Sequence, residues 1–174
     1  MNSSSSRPAR DEAADYYFKY IELVQTDDVC AALEQQLATT VTFLRGIPAD
    51  RAHHRYAPDK WSINGVLAHV NDCERLFAFR AFWFARGFDS GLPSFDQLIA
   101  RRHDHADDRT LASHIEEFDS VRRASLELFT HLPEEAWSRT GIASDNPFTV
   151  RALAFIAAGH VIHHSNILRE QYLQ

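Results

Sequence analysis

The chain has 174 residues, enough for one domain with a sizeable core, and 45% of them are hydrophobic, which excludes a wholly disordered protein. Its 18 basic and 24 acidic residues leave a net charge of −6, so the clustered positive charge of a nucleic-acid-binding protein is missing. The most apolar stretch, LFAFRAFWFARGF, is broken by Arg80 and Arg86 too soon to span a bilayer.

The opening MNSSSSRPAR has no apolar core of the kind a secretory signal needs. Residues 1–14 read as a disordered leader, and 15–174 as a single domain. The aromatic run DYYFKYIELV that follows suits an arm or short helix docked on that domain. A first long helix is expected from about Asp28 to Arg45, with Val29, Leu33, Leu37, Val41 and Leu44 at steps of three and four. Gly46 and Pro48 stop it. A second starts at Ser62 as N-cap and carries Val66, His69, Val70, Cys73, Leu76, Phe77 and Arg80 to about Arg86, closed by Gly87.

The connection over 87–109 is too long for a tight turn and contains Phe95, Leu98 and Ile99, which suit a lid or a short packed helix. A third helix runs from about Thr110 to His131 on Leu111, Ile115, Phe118, Val121, Leu126 and Phe129, with Pro133 beyond it. After a turn-rich segment, Thr149 caps a fourth, from Val150 to about Tyr172. Its apolar stripe reads Leu153, Ile156, Ala157, His160, His164, Ile167 and Leu168. No run shows strand alternation with hairpin turns, so no sheet is expected. Four helices of this length, with a long crossover between the second and third, predict an all-α four-helix bundle. Cys30 and Cys73 fall on helices and read as reduced thiols of a cytoplasmic protein.

Three histidines stand on apolar faces. His160 and His164, four residues apart, stack on one helix face, and His69 occupies the buried stripe of another. Buried ring nitrogens need partners, because an unpaired buried polar group costs roughly 1–3 kcal/mol. Two readings remain open from periodicity: three core histidines bonded to backbone or carboxylates, or three imidazoles sharing one ion with a coordination position left for catalysis. Around them, His163 falls toward the rim. Asp72 is placed to hold a ligand ring or a bound water, or else to pair with an arginine. Cys73 is a buried thiol within reach of an ion. Glu74, Arg75 and Arg80 are expected to form ion pairs that fix the bundle. Phe77, Phe82, Trp83, Phe84 and Phe88 suit the core or a subunit interface. His53, His54, His103, His105, His114 and His131 are expected to be solvated.

The segments KWSINGVLAHVNDCERLFAFRAFWFARG, LPSFDQ and NPFTVRALAFIAAGHVIHHSNILREQYL closely resemble the DinB-like (YfiT-like) superfamily of proposed metalloenzymes, in the same order and from Asp15 onward. The most specific parts are Lys60–Trp61–Ser62, the His-x-x-Asp-x-Glu run from His69 and the Gly-His-x-x-His-His run from Gly159. The resemblance implies a four-helix bundle that holds a divalent ion, such as zinc, nickel or iron, through three histidines, which fall here on His69, His160 and His164. It also implies a small-molecule substrate and a homodimer. Some relatives transfer low-molecular-weight thiols and others isomerise their substrates. Cys73 departs from the threonine expected at its position. Together these lines lead us to expect a metal-dependent thiol S-transferase or hydrolase acting on small electrophiles, with Asp72 beside the ion. The alternative is a non-catalytic, stress-associated bundle that binds a metal or a ligand.

Overall fold

Ser62 and Thr149 act as the expected N-caps, and Thr110 as a further one, in the computed structural model, which describes residues 6–174. The hydroxyl of Ser62 accepts from Gly65 N at 3.0 Å, Thr110 from Ser113 N at 3.2 Å and Thr149 from Ala152 N at 3.0 Å. Each satisfies one of the backbone donors that a helix start leaves without a partner. The elements are α1 (Asp15–Ile21), α2 (Val29–Arg45), α3 (Ile63–Ala85), α4 (Gln97–His103), α5 (Leu111–Thr130), β1 (Thr140–Ala143), β2 (Asn146–Thr149) and α6 (Val150–Ile167). A π-helical turn, Leu168–Tyr172, prolongs α6. Among the described residues no helix is long and apolar enough to cross a membrane.

The bundle is formed by α2, α3, α5 and α6. α3 packs on α5 and α6, and α2 packs on the same two, so α2 and α3 stand at opposite corners although they follow each other in the chain. This arrangement makes α3 and α6 neighbours. α1 lies along α6. Gly159 permits that approach, since a Cβ there would meet the carbonyl oxygen of Tyr20 at 2.0 Å. α6 is apolar on nearly all sides, with Val150, Leu153, Phe155, Ile156 and Ala158 fully buried, as befits the helix that others surround.

One feature differs from the sequence expectation. The turn-rich segment before α6 contains a two-stranded antiparallel hairpin, paired Thr140↔Thr149 to Ala143↔Asn146. Its turn residues, Ser144 and Asp145, both have positive φ, 52° and 60°. That is the geometry of a primed two-residue turn, here made without the glycine that normally announces it. The connection after α3 contains the short helix α4, and Leu92 N donates to Ile142 O at 2.9 Å and Ser144 N to Leu92 O at 3.1 Å, which ties it to the hairpin before α4 begins.

Of the stretch read as a leader, residues 1–5 lie outside the described residues. The next residues pack: Arg7 Nη1 donates to Ile21 O at 3.0 Å, and the Glu12 carboxylate accepts from Thr149 Oγ1 at 2.8 Å and Arg151 Nε at 3.0 Å.

One buried ion pair spans the bundle. Arg122 of α5 grips Glu74 of α3 with two bonds of 2.9 Å and donates to Gln36 Oε1 of α2 at 2.7 Å. Gln36 Nε2 in turn donates to Ala158 O of α6 at 2.9 Å. All four bundle helices are linked in this way.

Candidate metal centre

The facing stripes of α3 and α6 bring three imidazoles together. His69 projects from α3, His160 and His164 from successive turns of α6, and one ring nitrogen of each lies within 4.8 Å of the others. His160 Nε2 stands 3.2 Å from His69 Nε2 and 3.1 Å from His164 Nε2. His69 and His160 are buried and His164 is partly so.

This contact set cannot be closed by hydrogen bonds alone. Each imidazole nitrogen offers one in-plane site, either an N–H or a lone pair. His160 Nε2 has two nitrogen neighbours and can bond only one of them. A cation at the centre would instead take a lone pair from all three. The spacing agrees with that arrangement: nitrogens about 2.0–2.1 Å from one ion lie about 3.3–3.4 Å apart in tetrahedral geometry and about 2.9 Å apart at octahedral right angles. The observed 3.1 and 3.2 Å fall between these limits. The residues therefore fit a transition-metal ion.

Electrostatics agree with the donor set. Burial, together with the neighbouring imidazoles, holds His160 and His164 well below the ordinary histidine range and His69 down to about 4. All three rings are neutral at pH 7, as ligation requires. Aromatic rings pack around the centre. Trp61 tilts over His69 at 5.0 Å between centroids, Tyr20 of α1 meets His160 edge-on at 5.3 Å, and Phe77 meets it at 5.7 Å. His163 sits outward, its ring against Tyr20 and His164, at the rim.

The other residues singled out from the sequence have separate fates. Cys73 Sγ lies 3.6 Å from His69 Nδ1, and burial raises its thiol to about 12, so it stays protonated in these surroundings. Asp72, three residues after His69 on α3, interacts with a different set of groups. Its neighbours are Arg75, at 4.0 Å, with Asp104, Glu117 and His114 near enough to act on its charge, and burial raises its pKa. None of its interactions among the described residues is with a ring of the triad. Arg75 pairs with Glu117 at 2.7 Å and Glu74 with Arg122, as ion pairs of the expected kind. Arg80 does not: no carboxylate pairs with it among the described residues. His114, expected to be solvated, is wholly buried, and its Nε2 donates to Ala106 O at 3.0 Å. His53, His103, His105 and His131 are exposed and His54 half-buried.

A cavity of about 320 Å³ opens onto His69 and His160 and runs along α3 past Cys73 and Phe77 to Arg80. Tyr17 and Tyr20 of α1 form one wall, and Phe95 to Leu98 of the connection form another. A second hollow touches His164 from the far side, between Trp61 and Tyr172. Sequence reasoning missed Tyr20, Trp61 and Arg80 as parts of the site. The only hints were the aromatic run before Glu22 and the Lys60–Trp61–Ser62 entry to α3.

Comparison with known proteins agrees with this geometry. A search of curated proteins finds no match. Among solved structures the chain is similar to YfiT from Bacillus subtilis, described as a probable metal-dependent hydrolase with an unusual four-helix bundle topology. The TM-score is 0.68 at 13% identity, over 95% of this chain and 91% of that one, a likeness of fold. The model of the DinB superfamily matches residues 32–168, which include all three histidines and all of the bundle helices but the first three residues of α2, and the chain accordingly belongs to the DinB superfamily.

Proposed function

We propose that His69, His160 and His164 hold one divalent transition-metal ion, and that the protein is a metal-dependent enzyme acting on a small molecule in the cavity beside it. The observation that carries this reading is the convergence of three neutral Nε2 atoms at 3.1 and 3.2 Å, which no hydrogen-bonding scheme satisfies. A divalent ion there would supply a Lewis acid that lowers the pKa of a bound water or thiol toward neutrality. Trp61, Tyr20 and Phe77 pack against the imidazoles and fix the ring planes, and the cavity along α3 positions the substrate.

Hydrolysis is the first form of the reaction in this proposal, in keeping with the description of the similar YfiT fold. Transfer of a low-molecular-weight thiol to an electrophilic carbon is the second. The ion is zinc, nickel or iron, since three imidazoles suit each of them. The proposal also places the protein in the cytoplasm as a homodimer; the exposed Phe79 and Phe82 beside the stacked Trp83–Phe88 pair favour the dimer. Asp72 is not required by this reading, because it lines neither hollow at the triad.

Elemental analysis of protein purified without a histidine tag tests the centre: the wild type carries metal at a fixed stoichiometry and His160→Ala does not. Hydrolase and thiol-conjugation screens with and without chelator then test the chemistry. One observation favours the alternative of a non-catalytic metal- or ligand-binding bundle, namely that no carboxylate bonds to a triad ring among the described residues. Metal uptake without chelator-sensitive turnover on any substrate decides for that alternative.

A further inference from the structure

Arg80 lies at the end of the cavity away from the histidines and is 2% exposed. Buried arginines are ordinarily paired with a carboxylate, as Arg122 is here. Arg80 has neutral partners instead. Its Nη2 donates to Pro93 O at 3.1 Å and to Ser144 Oγ at 2.9 Å, the Tyr17 hydroxyl interacts with the guanidinium, and its buried Nε has no acceptor among the described residues. A guanidinium is never neutral at physiological pH, so this charge sits in the cavity wall with no ion-pair partner among the described residues.

The placement is ordered along one helix face. His69, Cys73, Phe77 and Arg80 follow at steps of four, four and three, and all line the same cavity. Their Cα atoms run about 16 Å along α3. The connection and the hairpin turn, tied together through Leu92 and Ser144, hold the guanidinium in place. The cavity thus has a reacting end at the histidines, an apolar middle at Phe77 and Leu76, and a cationic end.

We infer that Arg80 is the anion subsite of this cavity, and that the substrate is a monocarboxylate whose apolar body separates its carboxylate from the reacting atom. One guanidinium matches one negative charge, and the Asp96 carboxylate in the same wall disfavours a dianion such as a phosphate. The inference rests on the proposed metal centre for the position of the reacting end. The anion subsite itself needs no metal.

The test is a titration of metal-free and zinc-loaded protein with 3-phenylpropionate, its neutral amide, and 2-phenylethylphosphonate. It is followed by calorimetry and by the Nε–H resonance of Arg80, with metal content measured on the same samples. The wild type should bind the carboxylate at least tenfold more tightly than the amide, with or without zinc, and the Arg80 resonance should shift on binding. Arg80→Met should abolish the preference while metal content is unchanged, and Arg80→Lys should keep only part of it. The carboxylate–amide comparison in the wild type stands even if a variant fails to fold. Equal binding of carboxylate and amide overturns the inference. So does a preference that survives in Arg80→Met and disappears when zinc is removed, because the carboxylate then sits on the ion. Tighter binding of the phosphonate overturns the monocarboxylate assignment. A protein that takes up no metal but keeps the Arg80-dependent preference removes the metal centre and leaves the subsite standing.

Discussion

Helix α3 carries two buried polar clusters five residues apart, one built on Glu74 and the other on His69. The Glu74 cluster is complete: Arg122 answers both carboxylate oxygens, Gln36 answers Arg122, and the backbone of Ala158 answers Gln36. The His69 cluster is not, since His160 Nε2 faces two nitrogens and the buried Nδ1 of His164 has no partner among the described residues. A polar cluster that serves the fold brings its own partners, because each buried group left unmet costs stability. One that lacks them points to something supplied from outside the chain.

This contrast can be broken or sharpened by measurement. The largest effect should come from pH. In the metal-free fold His69 titrates at about 4, and His160 and His164 lie well below their ordinary value because burial disfavours the charged ring. The unfolded chain takes up protons on the same residues as pH falls through about 6.5. Stability is therefore full above about pH 6.5 and is lost as pH drops toward 4. The slope approaches about 4 kcal/mol per pH unit, from three protons at about 1.4 kcal/mol each. Urea melts at pH 7, 6 and 5 measure it, and a flat profile would show that the rings are not buried in neutral form.

Next in size is Glu74→Ala, which strands the Arg122 cation and should cost about 3–5 kcal/mol in the same melts. Metal uptake should be untouched in whatever fraction remains folded. Zinc comes third. At a hundred times its dissociation constant it should stabilise the wild type by about 2.7 kcal/mol, or roughly 5–10 °C in Tm for a chain of this length. The shift should vanish in His160→Ala, and a shift retained there would move the metal elsewhere. The smallest effect belongs to Asp72→Asn, which should change stability by about 0.5 kcal/mol or less and leave metal content as it was. A large drop in bound metal would instead restore Asp72 to the centre.

Local signals determined the bundle helices. Ser62, Thr110 and Thr149 cap them, Gly46 and Gly87 end two of them, and the apolar spacing needs only neighbours within a turn or two to be read. The same spacing marked His69, His160 and His164 as inward-facing, because a side chain's place on a helix follows from its number. The hairpin escaped because its strands are four residues long and its turn uses Ser144 and Asp145 where a glycine would be expected. His114 reads as solvated, and Arg122 goes unmarked, because the groups that satisfy them, Ala106 O and Glu74, come from other elements.

By itself the sequence determined the helices, their buried faces and the chemical identity of the three donors. Only the tertiary structure decided that α3 and α6 are neighbours, that α1 closes over the rings at Gly159, and that Arg80 ends the cavity with no counter-ion among the described residues while Asp72 interacts with Arg75. The physical reason is range. Helical periodicity is set by backbone bonds four residues apart, whereas a partner for a buried charge or a lone pair is chosen by whichever distant segment the packing brings against it.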